Sequence, residues 1–179
     1  LRLSRGLGDV YKRQGEGRVE IGDACLMSPG ARISASDEVL LGNGCMMAHG
    51  SYITDSDWHG LYDRVNRDST PKPVRLGDNV WLGDRSTVLK GVTIGENSIV
   101  AASSVVTKDV PANVIVAGNP ALIVRELDNN EPRYTREDMF NDPAETQAYF
   151  DALDRTLLAD NSFWQWAISS LYPRSRRRQ

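Results

Sequence analysis

Aliphatic side chains recur at a fixed interval along this chain. Through its middle third one falls at every sixth position, and the set is Leu76, Leu82, Val88, Ile94, Val100 and Val106. A period of six matches neither the turn of an α-helix nor the two-residue alternation of a simple strand. It is typical of a three-sided solenoid, in which each coil contributes three short strands and uses about 18 residues.

A looser form of the same pattern precedes this run. Its aliphatic positions are Ile21, Met27, Ile33, Leu41, Met47 and Ile53, with one longer step where Val39 and Leu40 widen a turn. Four residues after nearly every aliphatic position lies a small or β-branched residue. These residues are Cys25, Ala31, Cys45, Ser51, Val80, Ser86, Val92, Ser98, Ser104 and Val110. Only Asp37 and Asp57 depart from the rule, so the sequence predicts an all-β solenoid of hexapeptide repeats over residues 15–127.

Stacked coils lie about 4.8 Å apart and exchange strand-type hydrogen bonds, so equivalent side chains form continuous columns inside the solenoid. Glycine with Asn or Asp relaxes the backbone at the corners, as in Gly77-Asp78-Asn79. Cys25 and Cys45 occupy equivalent positions in neighbouring coils and are predicted to stack. A disulfide is geometrically conceivable, but we interpret the pair as two packed thiols.

The repeat is interrupted once, by an insertion over residues 54–75 that is rich in polar and aromatic residues. A loop of this length inside a compact solenoid is usually functional. His59 lies where the next column aliphatic is expected, so we predict that the chain leaves the solenoid there. Histidine is the side chain best suited to proton transfer near neutral pH. The alternative is that His59 is an ordinary polar loop residue, and His49, at a solenoid corner, is a weaker catalytic candidate.

Both ends of the chain differ in composition from the solenoid. Residues 1–14, LRLSRGLGDVYKRQ, resemble the translated remnant of a sequencing adapter, and we expect the natural protein to have other sequence before Gly15. Residues 128–179 are predicted to form a helical extension. Asp142-Pro143-Ala144-Glu145 has the pattern of a helix N-terminus, which predicts a helix over residues 143–159 and a second one over 162–171.

Charge and hydropathy limit the partners. The formal net charge is −3, and residues 1–14 hold four basic residues and one acidic residue, so the rest is more acidic and nucleic acid is not expected. We find no transmembrane run or signal peptide and expect a cytoplasmic protein. Two cysteines do not make a zinc site. Aromatic residues and arginines near the C-terminus suggest peripheral contact of the second helix with a membrane, although packing on the solenoid or on a neighbouring subunit is the simpler interpretation.

Several motifs identify a family. The segments NVWLG, GVTIG, SVVTKDVP and AGNPA, all between Val74 and Leu127, resemble those of the left-handed β-helix acyltransferases, which include maltose, galactoside, xenobiotic and serine acetyltransferases. The resemblance implies a left-handed coil and a homotrimer that binds acetyl-CoA in a groove between subunits. It implies transfer of the acetyl group to a hydroxyl of a sugar or another small acceptor, with no metal ion.

The resemblance also implies roles for individual residues. His59 is the expected general base, and Asp57 or Asp55 is expected to orient its imidazole. The residues expected to bind CoA are Trp81, Gly83, Ala102, Ser103, Thr107, Lys108 and Arg125. Lys108 and Arg125 suit the nucleotide phosphates, although each is otherwise an ordinary surface charge.

Other functions stay open beside O-acetylation. One is N-acetylation of an amino sugar, and another is a non-catalytic trimeric scaffold, because a fold does not establish a function. A carbonic anhydrase of this fold needs three zinc-binding histidines, and the chain has two. Two departures from the family pattern affect the acceptor side. Lys90 stands where the family often has proline, and the N-terminal acceptor-binding segment of the maltose and galactoside enzymes is not found.

Overall fold

The computed structural model describes residues 9–11, 17–65 and 70–157 of the 179-residue chain. Within them the strands are short and follow one another at nearly regular intervals. In chain order they are β1 Asp9–Tyr11, β2 Arg18–Ile21, β3 Leu26–Met27, β4 Arg32–Ser34, β5 Glu38–Leu41, β6 Met46–Met47, β7 Tyr52–Thr54, β8 Val74–Leu76, β9 Trp81–Leu82, β10 Thr87–Val88, β11 Thr93–Ile94, β12 Ile99–Val100, β13 Val105–Val106, β14 Val114–Gly118 and β15 Ala121–Glu126.

The strands form three sheets, one for each side of the solenoid. Sheet A contains β1, β4, β7, β10 and β13, sheet B contains β2, β5, β8 and β11, and sheet C contains β3, β6, β9, β12, β14 and β15. Strands of neighbouring coils pair in parallel, as β7 does with β10 and β9 with β12. The last pair, β14 with β15, is antiparallel. The prediction of an all-β solenoid is therefore confirmed.

The predicted columns form the core. The six aliphatic residues from Leu76 to Val106 are all 4% exposed or less. In sheet A, Ile33, Ile53, Val88 and Val106 stack in register over consecutive coils. Each such side chain contributes about 2 kcal/mol by leaving water. The small residues four positions later are buried as well, since they close the corners between the sheets.

Asparagine residues form a ladder at the corner between sheets B and C. The Asn79 amide donates to Asn97 Oδ1 at 3.0 Å, and Asn97 donates to Asn113 Oδ1 at 3.1 Å. Arg133 donates to the end of the ladder at Asn113. All three asparagines have a positive φ, between 56° and 61°. Asparagine tolerates this left-handed conformation better than most residues, so one residue type serves both the turn and the ladder.

Ala24 occupies the same corner with a φ of 55°, where the neighbouring coil has Gly44. A side chain with Cβ is strained there, so we expect Ala24→Gly to raise the free energy of unfolding by about 0.5 to 1 kcal/mol, after the entropy that glycine adds to the unfolded chain. Urea denaturation measures the change. Ala101→Gly, at a corner with ordinary backbone, is the matched control and is expected to be destabilising. A loss of stability in Ala24→Gly contradicts the strain.

The two cysteines are free thiols in adjacent coils, which confirms their interpretation as a packed pair. Both are buried, and their strands run in register, Leu26 opposite Met46. The Cys25 thiol donates to the Gly42 carbonyl and the Cys45 thiol to the Gly77 carbonyl, each at 3.2 Å. The hydrogen bond to Cys25, together with burial, raises the pKa of the Cys45 thiol. Cys45 is therefore a structural thiol with low reactivity.

Residues outside the predicted solenoid also have structure. Residues 9–11, which the sequence analysis assigned to a non-native segment, form β1 and pair with β4. An open solenoid edge accepts any extended segment, so the origin of residues 1–14 stays a prediction. The described residues fall into two compact units, the first ending at Asp138 and the second beginning at Met139.

A 3-10 helix, Glu137–Phe140, precedes the one α-helix in the part of the chain that is described, α1 Pro143–Leu157. Asp142 caps α1 through its Oδ1, which accepts from the backbone N–H groups of Ala144 at 2.9 Å and Glu145 at 3.1 Å. The predicted helix start is thus confirmed. Its predicted end at residue 159 and the second helix, 162–171, lie outside the described residues. No described helix has the length and apolar content needed to cross a bilayer.

Candidate active site

The long loop leaves the solenoid at the corner between sheets A and B. It occupies residues 55–73, slightly less than predicted, because Thr54 still belongs to β7 and β8 already begins at Val74. Asp55 makes the turn, four residues before the predicted exit at His59. The returning chain is fixed by backbone bonds at Lys72, whose N–H donates to the Asp55 carbonyl at 2.9 Å and whose carbonyl accepts from Gly91 at 3.0 Å.

Asp55 anchors the exit of the loop. Its side chain is fully buried, and its carboxylate accepts from the Ser36 N–H at 2.8 and 3.0 Å and from the Asp37 N–H at 2.7 Å. These bonds join β7 to the equivalent corner of the preceding coil. The structure therefore gives Asp55 a structural role and leaves its predicted role in orienting the imidazole without a contact in the described chain.

Lys90 holds the two ends of the loop together. Its ammonium donates to the Asp57 carboxylate near the exit and to the Thr70 carbonyl near the return, the latter at 3.2 Å. The Lys90 side chain is 25% exposed and that of Asp57 is 49% exposed, so the pair is partly shielded from solvent. Lys90, which departs from the family pattern in sequence, therefore links the exit of the loop to its return, and we call this link the staple.

His59 is exposed, and its hydrogen-bond partner, Arg64, lies five residues later in the chain. Its Nδ1 is 2.9 Å from the Arg64 carbonyl oxygen. A carbonyl only accepts, so Nδ1 carries the proton, and the lone pair of the neutral ring lies on Nε2. Nε2 is thus in the state that a general base requires. The group that orients the ring is the Arg64 carbonyl, and the role of Asp57 toward the imidazole stays a prediction.

Trp58, directly before His59, fixes the start of the loop against sheet A. It has a φ of 65°, its backbone N–H donates to Ser56 Oγ at 3.1 Å, and its indole Nε1 donates to Thr54 Oγ1 at 3.2 Å. A left-handed backbone conformation is uncommon for a residue as bulky as tryptophan, and such strain concentrates at functional sites. Trp58 therefore limits the directions in which the next residue, His59, can point.

Four of the residues predicted to bind CoA lie together near the corner where sheet C meets sheet A, on β9 and in the turns after β9 and β12. Trp81 is 44% exposed and pairs in register with Ile99. Gly83 and Ala102 occupy the same corner in consecutive coils, and a Cβ on Gly83 would lie 2.7 Å from the Ala102 nitrogen. Only glycine fits there. Ser103 is exposed, but its N–H is already used in a hydrogen bond to the Asp84 carbonyl at 2.8 Å. A ligand would therefore contact Ser103 through its other atoms.

Of the other three predicted CoA residues, Arg125 lies on sheet C in the register row of Trp81, and Thr107 and Lys108 lie at another corner. Thr107 and Lys108 are exposed at the corner between sheets A and B, one coil beyond Lys90, because the Leu89 N–H donates to the Val106 carbonyl. Arg125 is exposed on β15, opposite Ile115. Sheet A therefore separates Thr107 and Lys108, on the corner of the loop, from Ala102 and Ser103.

His49 lies at the corner between sheets C and A, away from the loop exit. Its carbonyl accepts from the Arg85 N–H at 2.9 Å, and its ring lies over Gly30 of the preceding coil, where a Cβ would be 3.4 Å from it. Within the described ranges, no group of three His, Cys, Asp or Glu side chains is placed to hold a metal ion.

Comparison with known proteins gives a consistent result. The family model "Bacterial transferase hexapeptide (six repeats)" matches residues 73–108. The galactoside O-acetyltransferase of Escherichia coli (strain K12) is 41% identical over 120 residues, which make up 67% of this chain and 50% of that protein. The chain carries the hexapeptide repeat of bacterial transferases and is similar in sequence and in fold to acetyltransferases built from that repeat. It spans about half the length of that galactoside enzyme.

Solved structures of this family share the fold. A hexapeptide-repeat acetyltransferase from Vibrio cholerae O1 biovar eltor, complexed with acetyl coenzyme A, gives a TM-score of 0.59 at 31% identity and covers 62% of this chain and 61% of its own. A galactoside acetyltransferase in complex with coenzyme A gives 0.59 at 30% identity, over 65% of this chain and 62% of its own. The resemblance found in the motifs is thus confirmed.

Lys90→Met tests the staple. Without the ammonium, Asp57 and the Thr70 carbonyl lose a shared partner, and the loop that carries His59 loses its fixed geometry. We expect kcat/KM for acetyl transfer to fall about tenfold, with the Kd for acetyl-CoA within about twofold. Lys72→Met is the matched control, because its backbone and not its ammonium makes the bonds described above. An equal loss in both variants indicates a general charge effect and contradicts the staple.

Proposed function

We propose that this protein transfers an acetyl group from acetyl-CoA to a hydroxyl of a sugar or another small acceptor. The observation that carries the proposal is the contact of His59 Nδ1 with the Arg64 carbonyl, which places the lone pair of the neutral imidazole on Nε2. The proposal is also supported by relatives that are named as acetyltransferases and by family structures with acetyl-CoA or CoA bound.

The proposed reaction has two steps. Nε2 of His59 takes the proton of the acceptor hydroxyl as its oxygen attacks the thioester carbonyl carbon. The tetrahedral intermediate then collapses, the carbon–sulfur bond breaks, and the departing sulfur takes the proton from the imidazolium. Through both steps the Arg64 carbonyl accepts from Nδ1 and stabilises the charged ring. A base of this kind contributes about 10²- to 10⁴-fold to the rate.

The donor would lie along the coils that follow the loop. Trp81 and Ala102 are exposed where sheet C meets sheet A and would offer surface to the pantetheine chain of CoA. Lys108 and Arg125 are exposed cations suited to its phosphates. Metal ions have no part in this scheme.

We propose a homotrimer with the donor between neighbouring subunits. The division of the CoA residues between the two corners that flank sheet A supports this arrangement, because one corner of a subunit can face the other corner of its neighbour. The six-residue repeat gives straight sides, and straight sides suit extended contacts between copies.

The test is release of free CoA thiol from acetyl-CoA with matched acceptors, namely methyl galactoside and methyl glucoside against galactosamine and glucosamine. We expect release with the hydroxyl-only sugars. Transfer confined to the amino sugars would replace O-acetylation by N-acetylation. If no acceptor supports release and calorimetry detects no binding of acetyl-CoA, the proposal is wrong and a scaffold role is favoured.

A further inference from the structure

A cluster of cationic and aromatic side chains lies on the outer face of sheet A beside the loop exit. Arg32 on β4 and Tyr52 on β7 are partners in the strand register. The Arg32 guanidinium lies over the Tyr52 ring, with its central carbon 4.7 Å from the ring centroid. Trp58 completes the cluster from the loop through its bond to Thr54. Arg32 and Tyr52 have no role in the scheme above.

Arg32 is exposed, and among the described side chains it has no carboxylate partner at ion-pair distance. Three other cations of the same solenoid are paired. Arg18 and Arg75 both contact Glu38, and Lys90 contacts Asp57. Stacking on an aromatic ring fixes the plane of a guanidinium and leaves its N–H edge to bind an anion in bidentate fashion.

Tyr52 gives this guanidinium a rigid support. Burial raises the pKa of the phenol, but hydrogen bonds with Ser34, Thr54, Trp58 and Arg32 outweigh burial, and the pKa lies below its ordinary value. Tyr52 is half-buried and pairs in register with Arg32 on one side and Thr87 on the other, so the sheet supports its ring. A fixed cation next to aromatic surface is the kind of polar anchor that positions a ligand in a binding site.

The location of the cluster relative to His59 determines which substrate it faces. The residues assigned to CoA all lie in coils after the loop, from Trp81 onward, whereas Arg32 and Tyr52 lie in the coils before it. His59 leaves the solenoid between these two groups and follows Trp58 directly. A donor that occupies the later coils leaves the side of Arg32 to the acceptor.

We infer that Arg32, supported by Tyr52 and flanked by Trp58, forms an acceptor subsite that recognises an anionic sugar, one that carries a carboxylate or a phosphate. The guanidinium binds the anionic group, and the indole packs against the apolar face of the sugar ring, which presents a hydroxyl toward Nε2 of His59. This inference rests on the proposed acetyl transfer and adds a substrate class to it.

The kinetic test compares acceptors that differ in one group. Methyl galacturonide, methyl galactoside and methyl galactoside 6-phosphate share a ring and differ at carbon 6. We expect kcat/KM at least about tenfold higher for an anionic acceptor than for methyl galactoside. Arg32→Gln is expected to remove this preference and to leave the neutral acceptor within about twofold, while Arg32→Lys keeps part of it. The two anionic acceptors separate carboxylate from phosphate recognition.

A binding measurement keeps the inference testable without turnover. Saturation-transfer NMR in the presence of CoA is expected to detect methyl galacturonide or the 6-phosphate on the wild-type chain and not on Arg32→Gln. Asp9 lies opposite Arg32 in the register of β1 and β4, so the comparison is repeated in the Asp9→Asn background. The same Arg32-dependent preference is expected there.

The outcomes distinguish failure of the anionic-sugar subsite from failure of the proposed acetyl transfer. Transfer to neutral and anionic sugars at equal rates, unchanged in Arg32→Gln, overturns the subsite and leaves acetyl transfer in place. Anion binding that requires Arg32 without transfer to any acceptor supports the subsite and contradicts the proposed function. If neither anionic sugar binds in either background, the subsite is wrong.

Discussion

His59→Ala is expected to lower kcat/KM for acetyl transfer by at least about 100-fold, because it removes the imidazole that takes the acceptor proton in the proposed reaction. The effect is expected mainly in kcat, since in the proposed reaction the imidazole acts on the transition state, and the residues predicted to bind acetyl-CoA lie in later coils. His59 is exposed, and its one described side-chain bond is to the Arg64 carbonyl, so the variant should fold normally. Initial rates of CoA thiol release measure the change.

His49→Ala is the matched control. His49 is also an exposed histidine, but it lies at the corner between sheets C and A, over Gly30. We expect this variant to keep its rate within about threefold, since it removes no proton acceptor at the loop. A rate unaffected in His59→Ala and strongly reduced in His49→Ala would transfer the role of base to His49.

Asp55→Ala is expected to lower the free energy of unfolding by about 3 kcal/mol, the largest effect on stability that we predict. The substitution removes a buried carboxylate and leaves the N–H groups of Ser36 and Asp37 without their acceptor at a solenoid corner. It also releases the exit of the loop from the preceding coil. Denaturant unfolding followed by circular dichroism measures the change.

Asp57→Ala separates this structural role from a general effect of acidic residues in the loop. Asp57 is 49% exposed and bonds to Lys90, so its loss is expected to cost less than about 1 kcal/mol. It should also reduce activity in the same direction as Lys90→Met, because both variants break the staple. Equal destabilisation by both aspartate substitutions would contradict the distinction between them.

Much of the fold follows from the repeat. A six-residue period places each aliphatic side chain against the one in the next coil, so the columns from Ile33 to Val106 could be predicted without any coordinates. The loop limits were less accurate. Thr54 and Val74 lie outside the six-residue column positions. Both nevertheless pair with other coils, because backbone hydrogen bonding continues beyond the column residues.

The site was predictable where side chains carry it and hidden where backbone does. His59 is predicted as the base from its type and position, but the group that orients its ring is the Arg64 carbonyl, which has no signature in sequence. Asp55 and Asp57 are the same residue type two positions apart. They differ because Asp55 faces into the corner and Asp57 faces Lys90. Lys90 was noticed only as a departure from a motif, because its partners depend on where the loop returns.

The most direct test of acetyl transfer with His59 as base is a single-turnover experiment, with enzyme in excess over acetyl-CoA carrying a ¹³C-labelled acetyl group. Free thiol and acetylated acceptor are quantified together by quench and mass spectrometry. We predict thiol release only when acceptor is present, in equal amount to labelled product, and at least about 100-fold slower in His59→Ala. Stoichiometric thiol release without acceptor, or labelled product formed equally fast by His59→Ala, would contradict the account.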